Sequence, residues 1–224
     1  MQGLSERVAR VPADRTVAEV VARLTDIETE ISLPDGVASF NMMYRRVTEA
    51  VRDALPQFEN QEFIERLDII FAEFYFEAYA AAAASEWVSK AWEPLFRRRA
   101  EHRLALQFAI TGMNAHINND LAHALVLTWQ ELGYDEAMRR DYDTINGILQ
   151  AVEEDIKGPL SDPLIHEVDV TLGSTDDFLA LWSIRHARDQ AWERARLMRH
   201  IPGDELDGLF DRIVGFAGNL LLGP

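Results

Sequence analysis

Residues 101–132 read EHRLALQFAITGMNAHINNDLAHALVLTWQEL, and this stretch decides the fold. At about 100° per residue, Ile110, Ile117 and Leu121 fall on one side of a helix. Leu104, Phe108, Ala115 and Ala122 fall on another. A helix with two apolar sides is expected at the centre of a bundle rather than on its surface. Two polar stripes run between the apolar sides. One carries His102, His116, Asp120 and His123, with Asn119 at its edge. The opposite one carries Gln107, Thr111, Asn114 and Asn118. Pro94 suits the first turn of this helix, where a missing N–H costs nothing, and Gly133 suits its end. The expected central helix is therefore Pro94–Leu132, with Gly112 in its middle either bending it or admitting a close neighbour.

Outward from this element the periodicity stays helical, and no alternating strand pattern stands out. A first helix is expected from about Asp14 to before Pro34, with the stripe Val17, Val20, Val21, Leu24 and Ile27. Asp35 can cap a second, stopped near Leu55 by Pro56. Asn60 can cap a third that runs to about Trp87. Asp135 begins a fifth that ends at Gly158-Pro159. Asp162-Pro163 suits a short turn of helix. Ser174 or Thr175 can cap a long helix to about His200, and Asp204 a last one to about Leu222. Gly158 to Gly173 is the longest irregular segment and the best candidate for a lid or loop. The expected architecture is one all-α domain over residues 1–224, a helical bundle with a long central helix.

Composition narrows the function classes. The 224 residues carry 22 basic and 38 acidic side chains, a net charge of −16. A surface that acidic is poorly suited to a phosphate backbone, so no nucleic-acid partner is expected. The Arg97-Arg-Arg99 run is the local exception. There are no cysteines, which removes disulfides, thiolate metal sites and a cysteine nucleophile. The most apolar stretch, Leu67 to Ala84, is broken by Asp68, Glu73 and Glu77, so no membrane span is expected. The first residues turn polar too early for a signal peptide, and a cytoplasmic location is the expectation.

Polar groups in the middle of a buried helix are costly unless paired. His116 and Asp120 stand four apart, so both side chains can reach one point. That spacing suits two ligands of a single divalent metal, a carboxylate orienting an imidazole for proton transfer, or a satisfied hydrogen bond in the core. His123 and His102 are read as exposed or capping. Asp68 lies in the apolar run Leu67-Asp-Ile-Ile-Phe71 and must be paired or have its pKa raised. Tyr75 and Tyr79 continue its stripe. On the second helix, Asn41, Tyr44, Arg45 and Thr48 are read as a solvated border beside Met43, Val47 and Val51. Around His186, Asp189 and Glu193, the arginines at 185, 188, 194 and 196 are read as a salt-bridged, solvated face. Asp143 and Asn146 flank the stripe Tyr142, Ile145, Leu149 and Val152. No Gly-rich phosphate loop, His-Glu-x-x-His or Gly-x-Ser-x-Gly occurs.

The string Gly112-Met-Asn-Ala-His-Ile-Asn-Asn-Asp120 resembles an uncharacterised family of all-helical bacterial proteins, mainly actinobacterial. Arg66-Leu-Asp-Ile-Ile-Phe-Ala72 with Tyr75, Gln107, and Asp141-Tyr-Asp-Thr-Ile-Asn146 support the resemblance. It implies a fold and no chemistry. A more distant likeness is to zinc-dependent phospholipase C and the single-strand nucleases of its fold, whose central helix carries His-x-x-x-Asp as metal ligands. His116 and Asp120 match that fragment. An N-terminal Trp ligand and a nearby His-x-x-x-His are missing.

The functional reading is a small-molecule enzyme of the lyase or cyclase type, acting on a specialised metabolite, or a metal-dependent hydrolase. His116, Asp120, Asp68 and Tyr75 are the candidate catalytic residues. Asn114, Asn118, Gln107, Asn41 and Asp143 are the candidate substrate contacts, and His116 with Asp120 the candidate ligands of one divalent metal. The alternative is a non-catalytic helical protein that binds a small ligand or a partner through a satisfied polar core.

Overall fold

The computed structural model describes residues 11, 12, 14–160, 184–200 and 204–223, and all regular structure among them is helical. Helix α1, Val17–Glu30, starts in a capping box. Thr16 Oγ1 accepts the Glu19 N–H, and the Glu19 carboxylate accepts the Thr16 N–H. Val17, Val20, Leu24 and Ile27 are its buried stripe, as the spacing predicts. Helix α2, Gly36–Ala54, is capped by Asp35, and α3, Gln61–Ala83, by Asn60; both caps are legible in the sequence. Helix α3 ends four residues before the expected Trp87. The expected Asp162-Pro163 turn, the Ser174 or Thr175 cap and most of the Gly158–Gly173 loop lie outside the described residues.

The expected Pro94–Leu132 helix is interrupted. Pro94 does begin a short helix, α4, Glu93–Arg98. The chain then leaves the helix because Arg99 is held by a distant cap. Its guanidinium binds Asp35, Nε to Oδ2 at 2.8 Å, and its carbonyl accepts the Gly36 N–H at 2.8 Å. The helix restarts at α5, Ala105–Met113, where Gln107 Oε1 accepts the Leu104 N–H. All three arginines of the 97–99 run bind carboxylates, of Glu93, Glu101 and Asp35 respectively.

From Ala105 the helix runs without a break to Leu132, but not as one α-helix. Asn114–Asp120 forms a π-helical segment, followed by α6, Leu121–Leu132. Gly133, at φ 84° and ψ 155°, takes a positive-φ conformation that glycine tolerates best, and ends α6. The remaining helices are α7, Met138–Leu160; α8, Ile184–Met198; and α9, Asp204–Leu222. The α5–π–α6 rod lies at the centre. Helix α2 packs on α5, α3 on α6, α8 on α6 and the π-segment, and α9 on α5 and the π-segment. Helix α7 closes over α2 and α3.

Two glycines set the closest approaches at this centre. A Cβ on Gly112 would lie 2.3 Å from the Phe40 ring, and one on Gly36 2.3 Å from the Phe108 ring. Gly112 therefore admits a close neighbour, α2, two residues before the helix widens. Among the described residues no helix is long and apolar enough to cross a membrane.

Candidate functional site

The π-segment carries His116 and Asp120. A π-turn is costly and recurs at functional sites, because its widened ring re-aims the side chains on it. Both residues are buried, at 2% and 0% exposure. His116 Nδ1 lies 3.3 Å from Asp120 Oδ2. The Trp92 indole N–H donates to the same oxygen at 2.9 Å, and the Asn119 amide donates to Oδ1 at 2.9 Å. A carboxylate surrounded by donors requires a donor from the imidazole as well. Nδ1 therefore carries the proton, and Nε2 is the bare, basic nitrogen.

Nε2 has no hydrogen-bond partner among the described residues. Burial pushes the His116 pKa below its ordinary value, against the hydrogen bond and charge of Asp120, so the ring is neutral at pH 7. Aromatic rings fix its plane. Phe71 stacks on it with centroids 3.5 Å apart and planes within 4°. Tyr44 meets it edge-on at 4.7 Å, and Phe40 at 5.9 Å.

His116 lines a cavity of about 70 Å³ between α2, α3, the central rod, α7 and α8. The walls are mostly aliphatic and aromatic, and the other polar residues on them are Tyr44, Asp68 and Arg188. Tyr44 Oη and Asp68 Oδ2 also lack hydrogen-bond partners among the described residues. Thr48, one turn beyond Tyr44, gives its proton to the Tyr44 carbonyl at 3.0 Å and not to the phenol. Three unpartnered buried polar atoms thus belong to residues on one small cavity. An unsatisfied buried group typically costs about 1–3 kcal/mol, so this concentration calls for a function or a bound molecule. The Asp68 carboxyl is raised to about 7 by burial, reinforced by the charge of Glu65 on the same helix.

The other expected site residues are placed elsewhere. Tyr75 donates to Asn41 Oδ1 at 3.1 Å, and Asn41 donates to the Leu24 carbonyl at 2.9 Å, which ties α3 and α2 to α1. Asn114 donates to the Val214 carbonyl at 2.9 Å and accepts from Asn118 at 3.0 Å, which ties the π-segment to α9. Besides capping α5, Gln107 donates to the Leu221 carbonyl at 3.1 Å. Asp143 is bound to Arg139 at 2.8 Å on the outer side of α7. The structure brings together His116, Asp120 and Asp68, and gives these five and Tyr75 partners of their own.

Three sequence readings are corrected. Asn41, Tyr44 and Thr48 are buried and form no solvated border; only Arg45 fits that description, bound to Glu28 and Glu49. His123 is buried rather than exposed or capping. It contacts Arg194 at 3.2 Å and Asp207 at 3.7 Å, and burial with the Arg194 charge lowers its pKa to about 4. Arg188, read as part of a solvated face, is 5% exposed and lines the cavity. Trp92 and Phe71 carry no local signal, and Tyr44 and Arg188 read locally as solvated, since the roles of all four depend on helices remote in sequence.

As arranged, the donor set does not fit a divalent metal. Asp120 directs its oxygens at N–H groups, which a cation would displace, and its imidazole neighbour is already in contact with it. Among the described residues no three or more His, Cys, Asp or Glu side chains converge as a metal cluster.

No curated protein and no solved structure matches the chain. The model of a family of unknown function, DUF5995, matches residues 17–224, which cover the whole π-segment and every wall of the cavity. The chain belongs to that family.

Proposed function

We propose that the protein is an acid–base enzyme that acts on a small, largely apolar molecule held in the cavity beside His116, with an elimination or cyclisation as its reaction. The observation that carries this reading is the bare Nε2 of a neutral, Asp120-oriented imidazole at an otherwise apolar wall. A base of that kind is maintained at neutral pH without competition from a hydrogen-bonded partner. Asp68 is the complementary acid. A carboxyl with a pKa of about 7 is half protonated at pH 7, against almost none for an ordinary aspartate, and can release that proton.

In an elimination, His116 Nε2 takes a proton from an acidic carbon of the substrate. The C–H electron pair becomes the new double bond. The leaving group departs from the adjacent carbon with the Asp68 proton. Asp120 stabilises the imidazolium formed, and proton exchange resets both residues. The surrounding rings exclude water, which strengthens each electrostatic term. The resemblance to actinobacterial helical proteins adds support for a biosynthetic setting. A satisfied polar core, the structural alternative, is disfavoured by the three unpartnered atoms.

The test is deuterium exchange in D₂O with a panel of cavity-sized carbonyl compounds that carry an acidic C–H, read by mass spectrometry. The wild type is expected to label at least one compound at that carbon, and His116→Gln to lose the labelling while remaining folded. Labelling that survives in the His116→Gln variant, or a wild type that labels nothing yet binds the same compounds, would replace catalysis with simple ligand binding.

A further inference from the structure

Arg188 brings a cation to the cavity, and the acid–base reading leaves it unused. It is 5% exposed and approaches the cavity from α8, a helix otherwise rich in surface charge. Its anchors are electrically neutral. Nε donates to Asn146 Oδ1 at 2.9 Å, one terminal nitrogen donates to the Tyr142 carbonyl at 2.7 Å, and the guanidinium lies 4.0 Å over the Tyr142 ring. Among the described residues no carboxylate lies within ion-pair distance of it. Asp143 and Asp189 are near enough to contribute to its field, but both are bound to Arg139. A guanidinium has five N–H donors, and these anchors use two.

A buried cation held by neutral acceptors is expensive unless an anion completes it. The other titratable side chains on the cavity do not supply a full counter-charge at neutral pH: His116 is neutral, Tyr44 has its pKa pushed well above the phenol range by burial, and Asp68, raised to about 7, is only half ionised at pH 7. Building on the acid–base reading, we infer that the substrate is a short-chain organic carboxylate, with its carboxylate against Arg188 and its apolar body against Phe71, Met43 and Ile117. Planar, bidentate recognition of a carboxylate is what a guanidinium fork does best. The apolar walls fit an aliphatic chain, and the cavity limits its length. About 70 Å³ is roughly half of the ~150 Å³ that accommodates one benzene. By that scale butyrate, with as many non-hydrogen atoms as benzene, is the upper limit of size and enters only as the walls give. Pairing with Arg188 would neutralise the carboxylate and bring the α-carbon of the chain into the cavity that His116 lines.

The test compares butyrate with its neutral isostere butyramide at constant ionic strength. Titrations are followed by the ¹⁵N shifts of the His116 imidazole in the wild type, Arg188→Lys and Arg188→Gln. Butyrate is expected to bind the wild type at least tenfold more tightly than butyramide. Arg188→Gln is expected to lose at least tenfold for butyrate and nothing for butyramide, with Arg188→Lys between. The isostere comparison uses the wild type alone, so it stands even where the Gln variant fails to fold. If butyramide binds as tightly as butyrate and shifts the His116 signals, the carboxylate inference falls while the acid–base site stands. If neither ligand moves those signals, the cavity takes no molecule of this kind, and the inference falls together with the site reading on which it rests.

Discussion

The Phe71 ring lies flat on the His116 imidazole, 3.5 Å between centroids and 4° between planes. Phe71 stands one turn after Asp68 on α3, so a single helix face supplies both the acid and the plate that fixes the base. With Asp120 holding Nδ1 and Phe71 holding the ring plane, Nε2 has little freedom of direction.

Replacing Phe71 with Leu keeps the wall apolar and removes the plate. The aromatic pair is worth about 0.5–1.5 kcal/mol beyond burial, so stability should fall by about 1 kcal/mol in a denaturant titration. The His116 ¹⁵N signals should broaden as the ring gains freedom. Unchanged line widths would show that Asp120 alone orients the imidazole.

Asp120→Asn probes the dyad. The wild-type carboxylate accepts from Trp92, Asn119 and His116 together. An amide has one acceptor oxygen, and its NH₂ must face a donor. The conflict should lower stability by about 1–3 kcal/mol. The altered partner should also move the His116 proton to Nε2, which removes the base. Exchange or turnover should fall roughly 10²–10⁴-fold, the range general base catalysis spans. Histidine tautomers are read directly by ¹⁵N NMR, and an Nε2 that remains unprotonated in this variant would refute the role assigned to Asp120.

The helices were largely legible in the sequence because their determinants are local. Asp35 and Asn60 are caps in any context, and the Val17–Ile27 stripe buries itself wherever α1 packs. The break at Arg99 was not legible, because the partner that pulls it out of the helix is Asp35, 64 residues away. The π-turn left no signature either. Reading the central helix at a uniform α pitch placed His123 on the same stripe as His116, whereas His123 faces Arg194 and Asp207. The His116–Asp120 pair survived this error because their four-residue spacing brings them together across the widened turn as well. Arg188 was hidden by its neighbours: in Ile184-Arg-His-Ala-Arg-Asp-Gln190 nothing local distinguishes the buried arginine from the exposed one. Only Tyr142 and Asn146 on α7 make that distinction.

Gly112→Ala separates local from tertiary preference. In an isolated helix, alanine would be favoured by about 1 kcal/mol. Here its Cβ would lie 2.3 Å from the Phe40 ring, which also packs on Tyr75, Trp92 and His116. Overpacking of this kind costs about 1–3 kcal/mol, so the melting temperature should fall by a few degrees. A rise would show that Phe40 yields without cost.

The pH dependence of stability isolates Asp68. Its carboxyl titrates at about 7 in the folded protein and has an ordinary value of 3.8. Below pH 4 it is protonated in both the folded and the unfolded chain and contributes nothing to the difference. Between pH 4 and 7 the folded chain holds a proton that the unfolded chain has released. The unfolded state then binds fewer protons, and stability falls as pH rises through this window. The full loss is on the order of 4 kcal/mol, reached above pH 7. Asp68→Asn does not titrate. Its buried NH₂ carries a fixed, pH-independent cost, so the informative quantity is the stability difference between variant and wild type as a function of pH. That difference should move in favour of the variant from pH 4 to pH 7 and level off above, by a few kcal/mol in all. Denaturant titrations at pH 4, 5, 6, 7 and 8 measure it. A flat difference would mean that Asp68 ionises in the folded protein as easily as in water, and the acid assigned to the cavity would be lost with it.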